Sequence, residues 1–235
     1  MKEKIKNIGG ILLQKIGLIT SKPLLFDISC CERMVEYAWV LRNLDIEKSK
    51  ILDLGCYGTL FPIMLASLGH KVTGIDRKDY EYKHPNFTFI KGDILDFPPQ
   101  LLNQKFDVII SISTIEHVGL GSKENIIEDG DIKAVKELKK MLKDNSTLFL
   151  TFGYGGKFQI HKLLSSPDIP FGRLYDEERI EKLSKGFEIV KKDYFKIEDG
   201  VWNLCTIKEA KKFIYPETWD KTMSIVCIKL KKRSV

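Results

Sequence analysis

The chain is poor in the residues that hold small secreted or metal-bound domains together. It has five cysteines in 235 residues: Cys30, Cys31, Cys56, Cys205 and Cys227. The number is odd and no pair has CxxC spacing, which argues against a disulfide framework or a zinc site and for a reducing, cytoplasmic compartment. Internal repeats and low-complexity linkers are absent. Long apolar runs are absent too: the longest near the N-terminus, residues 8–13, contains two glycines and stops at Gln14 and Lys15, too short for a secretory core or a membrane span. The glycine-rich phosphate cradle GxGxxG is also missing. What remains is 43% hydrophobic and 30% charged residues with a net charge of +6. The basic excess is spread over scattered lysines and a closing KLKKR, which reads as a solvated surface rather than a nucleic-acid footprint.

The hydrophobic pattern predicts a helix over 27–44, with Asp27 as N-cap and Met34, Tyr37, Ala38 and Leu41 on one face. An alternation follows: strand 50–54, helix 61–68, strand 71–75, strand 87–91, strand 108–112, helix 132–142 and strand 147–152. Strands apolar on both faces, separated by helices, imply a parallel sheet covered on both sides. After Gly156 the expectation is a helix over 175–183 and two long strands, 187–197 and 224–231, joined by a segment in which Thr206 and Glu209 form a capping box.

Residues 51–76, ILDLGCYGTLFPIMLASLGHKVTGID, place an acid at the tip of each of two neighbouring strands. In open α/β sheets ligands sit at the carboxyl ends of the strands, where strand order reverses. Asp53 ends the first strand and Gly55-Cys56-Tyr57-Gly58-Thr59 makes the turn. Asp76 is placed to accept hydrogen bonds from two ribose hydroxyls.

These segments resemble the class I S-adenosylmethionine-dependent methyltransferases, closest to a bacterial and archaeal group with an EHVGLG motif. ILDLGCYGT is similar to the family's D-x-G-x-G-x-G, with only Gly55 in register; Tyr57 and Thr59 replace two glycines and Gly58 is shifted. VTGID, FIKGDILDFP, FDVIISISTIEHVGLG and LKKMLKDNSTLFLTF resemble the later motifs, with Asp144-Asn145 where Pro-Gly is usual; Asn tolerates the left-handed turn.

The resemblance implies an α/β, Rossmann-like sheet of seven mostly parallel strands with an antiparallel last strand and helices on both faces. Residues 1–45 would be a helical extension and 46–235 the cofactor-binding domain, with a substrate loop near 153–175 and an insert near 199–222. S-adenosylmethionine would be held by Asp53, Gly55, Cys56, Tyr57, Gly58, Asp76, Arg77, Asp93, Ile94 and Ser111. Asp93 would take the adenine amino group, with Ile94 on the ring.

The resemblance implies methyl transfer, with a lean to a small-molecule or glycan hydroxyl. Such an acceptor loses a proton, and His117 is the candidate base; Glu116 supports the donor or binds the acceptor. Both readings of His117 stay open, as base or as a loop-orienting residue. Tyr154, His161, Arg173, Tyr175 and Trp202 are the candidate substrate residues, from the aromatic loop and the insert, with core packing as the plain alternative. Glu128, Asp129 and Asp131 read as carboxylates favouring a helix N-terminus rather than a metal site.

No N/D-P-P-Y/F stands after the fourth strand, which disfavours base-amine methylation and nucleic acid as a partner. An RNA methyltransferase and a non-catalytic scaffold on the same fold are the alternatives; a nicotinamide oxidoreductase lacks its cradle. The N-terminal MKEKIKNIGG segment is compatible with packing on the domain, covering the substrate site, or touching a membrane surface. Oligomeric state is not legible.

Overall fold

The computed structural model describes residues 32–44, 47–121, 126–163, 166–213 and 223–233. The expected features of the first 31 residues, including Asp27, Cys30 and Cys31, lie outside these. Helix α1 (Glu32–Asn43) leads into β1 (Lys50–Leu54), α2 (Phe61–Ser67), β2 (Lys71–Asp76) and β3 (Phe87–Lys91). A short α3 (Pro99–Leu102) precedes β4 (Phe106–Ile112), a 3-10 turn (Ile115–His117), α4 (Gly130–Met141) and β5 (Leu142–Gly153). Then come β6 (Gln159–Leu163), β7 (Ser166–Leu174), α5 (Glu177–Leu183), β8 (Phe187–Glu198), β9 (Val201–Cys205), α6 (Ile207–Ala210) and β10 (Ser224–Lys232).

The main sheet runs β3-β2-β1-β4-β5-β10-β8-β9. The first five strands are parallel, and β10 enters antiparallel between β5 and β8. The sheet therefore has eight strands rather than seven. The extra one is β9, paired antiparallel with β8. Its cause is local: Asp199 (φ 51°) and Gly200 (φ 76°) take the two left-handed positions of a tight hairpin turn. The hairpin of β6 and β7 is a separate two-stranded sheet inside the expected substrate loop. Asn145 adopts the left-handed conformation (φ 60°) within β5, where the register with β4 shifts, and the capping box of Thr206 and Glu209 forms.

One side of the sheet buries Leu52, Leu54, Ile109, Leu148 and Val226 with Val135 and Leu138 of α4. The other buries Ile51, Ile110, Phe149 and Cys227 with Trp39, Val40, Phe61 and Leu65 of α1 and α2. Each such side chain contributes about 1.5–3 kcal/mol by leaving water. The buried face of α1 corrects the expectation: Glu36, Trp39 and Val40 point inward, while Met34 and Ala38 are exposed. A tether explains the rotation, since Trp39 Nε1 donates to Asp193 of β8 at 2.7 Å. No helix among the described residues is long and apolar enough to cross a membrane.

Candidate active site

β1 and β4 lie side by side at the centre of the sheet, so strand order reverses there and the turns above them open a cleft. Gly55 has φ 74°, and a Cβ on it would lie 2.2 Å from Thr114 Oγ1. Only glycine lets the turns after β1 and β4 close to this distance. Gly58, also at φ 74°, bends the turn one residue later than the family's usual glycine. Tyr57 therefore fits: its side chain is half exposed with Lys78 Nζ 4.5 Å over the ring, and its main-chain N–H donates to Asp76 Oδ2 at 3.0 Å. Asp76 Oδ1 accepts from Lys78 N at 2.9 Å. Each carboxylate oxygen holds one main-chain donor and retains acceptor capacity for another.

A cavity of about 480 Å³ opens beside Asp76. Gly55, Asp76 and Arg77 form one end, and Gly92 to Leu95 one wall. Thr114, residues 117–121 and Ile127 form the opposite wall. Ile94, Leu95, Val118 and Leu120 supply apolar side chains to the lining. Asp93 is half exposed; its Oδ1 accepts from Leu95 N at 2.9 Å and its Oδ2 lies 3.7 Å from Arg77 Nε.

A smaller recess of about 60 Å³ meets this cavity at Gly55 and Thr114. Asp53, Thr59 and Ser113 line it together with Arg33 and Tyr37 of α1. Sequence reasoning missed these last two, having placed α1 in an extension. The signal was there: Arg33 and Glu36 are opposite charges one turn apart, and Glu36 is followed within four residues by the core residues Trp39 and Val40. Glu36 is fully buried. It accepts from Arg33 Nη1, Ser113 Oγ and Thr151 Oγ1, each at 2.7 Å. Ser113 is itself held at φ 39°, a costly conformation for a residue with a Cβ. The buried carboxylate thereby fixes the first step of the turn that carries Glu116 and His117.

Burial and the nearby charge of Asp76 push the Asp53 carboxyl up to about 8. Burial likewise pushes Glu116 up to about 8, against the pull of Arg33. Both are therefore largely protonated at pH 7. His117 lines the cavity. Its Nδ1 lies 2.5 Å from the carbonyl oxygen of Phe171; a carbonyl only accepts, so Nδ1 carries the proton and Nε2 the lone pair. Nε2 is 3.9 Å from Glu116 Oε1. Burial lowers the His117 pKa, so the ring is neutral at pH 7.

Several expected site residues lie elsewhere. Cys56 is buried, its Sγ turned toward Gly74. Ser111 is buried within β4. Neither lines the cavity or its recess. Tyr154 is fully buried, edge-on to Tyr194 at 4.8 Å between ring centres. Tyr175 is fully buried, stacks on Phe152 and donates to Asp131 Oδ2 at 2.9 Å. Arg173 is buried and directs its guanidinium to main-chain carbonyls of Glu116, Val118, Ile127 and Glu128. Trp202 packs with Phe195 against the α1 side of the sheet. Tyr175 and Arg173 bond to protein groups, and Tyr154 and Trp202 pack among protein side chains, so none of the four turns a polar atom into the cavity lining. His161 also comes near the site, 5.7 Å from the ring of Phe171 and driven down to about 4 by burial. The acidic run differs as well: Asp129 makes no side-chain cap, and Asp129 and Asp131 instead take Arg179 at 2.8 and 2.5 Å. Among the described residues no cluster of three His, Cys, Asp or Glu is placed to hold a metal.

Residues 94–214 match a family described as Caenorhabditis protein of unknown function, DUF268. The ubiquinone biosynthesis O-methyltransferase of Pelagibacter ubique (strain HTCC1062) is 30% identical over 193 residues, covering 72% of this chain and 76% of that protein. An enzyme of the same name from Glaesserella parasuis is 31% identical over 114 residues, 43% of this chain and 44% of its own length. Among solved structures, an S-adenosylmethionine-dependent methyltransferase from Mesorhizobium loti superposes with a TM-score of 0.55 at 14% identity, covering 84% of this chain and 97% of that one. The N-methyltransferase NodS from Bradyrhizobium japonicum, in complex with S-adenosylhomocysteine, superposes with a TM-score of 0.54 at 14% identity, covering 92% and 94%. The chain belongs to the class I S-adenosylmethionine-dependent methyltransferases. It is an enzyme of that class, with S-adenosylmethionine as methyl donor.

Proposed function

We propose that the enzyme methylates a hydroxyl oxygen of a small molecule, phenolic or glycan-linked. The observation that carries this reading is His117. Its imidazole is neutral, its Nδ1 is committed to Phe171, and Nε2 is left to take a proton at the wall of the cavity. An acceptor amine needs no such base when unprotonated, whereas a hydroxyl becomes a far better nucleophile as its proton leaves. The names of the two curated relatives support the same choice of acceptor atom.

The cavity fits an adenosine. Asp76 would accept from the ribose hydroxyls with the capacity its two main-chain donors leave. Asp93 would accept from the adenine amino group, with Ile94 and Val118 on the ring faces and Arg77 at the rim. The main chain of Gly55, Tyr57 and Gly58 would pass beneath the sugar. The recess beyond Gly55, with Arg33, Tyr37 and Asp53, would take the amino-acid end. When bound, S-adenosylmethionine supplies a methyl group already activated on a sulfonium. The chain's own part is to align the acceptor, to exclude water and to accept the hydroxyl proton on His117 Nε2. Glu116, neutral and buried beside that nitrogen, adds no second negative charge.

Calorimetry with S-adenosylhomocysteine tests the cofactor site, and the absence of a binding heat would favour a scaffold. Transfer of a labelled methyl group to members of a panel of catechols, other phenols and glycans, with amines and tRNA in parallel, tests the acceptor. Methylation of amines or tRNA alone would overturn the hydroxyl reading.

A further inference from the structure

Resting on the role just given to His117, we propose that β7 is a positioning strand: Phe171, Gly172 and Arg173 together set the tautomer and placement of the His117 ring. The three residues act in three different ways. The Phe171 carbonyl accepts the Nδ1 proton, and its ring meets the imidazole edge-on at 4.7 Å between centres. Gly172 keeps space open: a Cβ there would lie 2.9 Å from His161 Nε2, 3.2 Å from His117 Cε1 and 3.3 Å from His117 Nδ1. Its requirement is therefore steric and does not come from a left-handed backbone. Arg173 holds the main chain on both sides of the histidine, Nη1 donating to the carbonyls of Glu116 at 3.1 Å and Val118 at 2.7 Å. Nη2 and Nε reach across to Ile127 and Glu128. A planar fork with five donors can bind two chain segments at once; an ammonium group cannot.

Groups facing the ring from the surrounding elements fit a neutral imidazole. Glu116 stands on the same turn, His161 on β6, Arg173 on β7 and Arg33 on α1. On α4 the nearest acid, Asp131, is already paired with Arg179 and lies beside Arg173. The carboxyl near Nε2, that of Glu116 at 3.9 Å, is pushed up to about 8 by burial and so is mostly neutral at pH 7. Without the Phe171 carbonyl the proton would have no fixed site, and the two tautomers would mix.

Nitrogen-15 spectroscopy of the imidazoles tests the assignment without any acceptor. The chain has four histidines, and the signal lost in His117→Ala identifies the one in question. The expected wild-type pattern at pH 7.5 is a single neutral Nδ1–H tautomer, with a cross-peak from that proton to the Gly172 α protons. Gly172→Ala, whose added methyl pushes on the ring, should give mixed tautomers and raise the titration midpoint toward the ordinary value. Arg173→Lys should do the same by releasing the flanking carbonyls. A merely structural strand would change melting temperature and leave the tautomer alone. An Nε2–H or doubly protonated ring in the wild type overturns the proposal. So does an absent cross-peak to Gly172, or an unchanged pattern in either variant that remains folded. Calorimetry with S-adenosylhomocysteine reports on the methyltransfer reading separately, since Asp76 and Asp93 lie on the other side of the cavity.

Discussion

Replacing Asp53 by asparagine tests the electrostatics beneath the cofactor site with almost no change of shape. The side chain is buried, and its carboxyl is pushed from the ordinary 3.8 to about 8 by desolvation and by Asp76. A folded-state value above the unfolded one means that the native protein binds the extra proton. Stability therefore falls as pH rises from the unfolded value toward the folded one, and levels off above it. The informative window is pH 6.5 to 8, above the ordinary histidine pKa and below the Asp53 value. His70, His117 and His161 are all shifted downward in the folded protein, so near pH 6.5 the unfolded chain binds histidine protons that the folded one does not; this opposite slope is common to wild type and variant and cancels in their difference. Each bound proton corresponds to about 1.4 kcal/mol per pH unit, so Asp53 should account for roughly 2 kcal/mol of lost stability across the window. In a domain of this size that is about 4–8 °C in melting temperature. Glu116, also raised to about 8, keeps its own slope in both proteins, so Asp53→Asn should lose about 2 kcal/mol less stability than wild type across the window. Urea unfolding at fixed salt, at four pH values with unchanged m, measures it. Equal slopes in wild type and variant would show that Asp53 is already ionised in the folded state, and the account of its burial would be wrong.

Asp76→Ala should weaken S-adenosylhomocysteine binding by about 1.5–3 kcal/mol, the scale of hydrogen bonds to a charged group; unchanged calorimetric affinity would remove Asp76 from the site. His117→Ala should lower turnover by about 10²- to 10⁴-fold, the usual range for a general base, with cofactor affinity spared; wild-type turnover would end its candidacy. Gly55→Ala combines a φ of 74° with a Cβ 2.2 Å from Thr114 Oγ1, and should cost about 2 kcal/mol or more. Pairing it with Thr114→Gly should recover part of that loss in urea melts, and no recovery would mean that the turn's strain lies elsewhere. Glu36→Ala leaves the Ser113 and Thr151 hydroxyls and the half-buried Arg33 without their acceptor and should cost about 1–3 kcal/mol; a melt close to wild type would contradict the burial of that carboxylate.

The parallel core was legible because its signals are local. Apolar runs the length of strands, a glycine after Leu54 and an acid after Ile75 need no distant partner to be interpreted. The hairpin of β8 and β9 was equally local, yet Asp199-Gly200 was passed over in favour of a longer segment. Tyr154, Arg173 and Tyr175 could not be placed from sequence. Aromatic and basic residues in a glycine-rich loop suit a binding rim and a buried scaffold alike, and the deciding partners, Tyr194, Asp131 and the carbonyl of Glu116, are 40, 44 and 57 residues away. Arg33 and Glu36 were missed for the same reason. The partners of Glu36 are Ser113 and Thr151, 77 and 115 residues on, and helical periodicity treats a charge as solvated by default.

The carboxylate of Glu36 has a consequence for how α1 can be regarded. It ties a helix that precedes the whole sheet to residues at the ends of the two central strands β4 and β5. A chain trimmed to begin at β1 would keep every recognisable motif and still unlatch Ser113. It would also uncover the apolar face that Trp39, Val40 and Leu44 shield, so the loss would show in the melting point as well as in turnover.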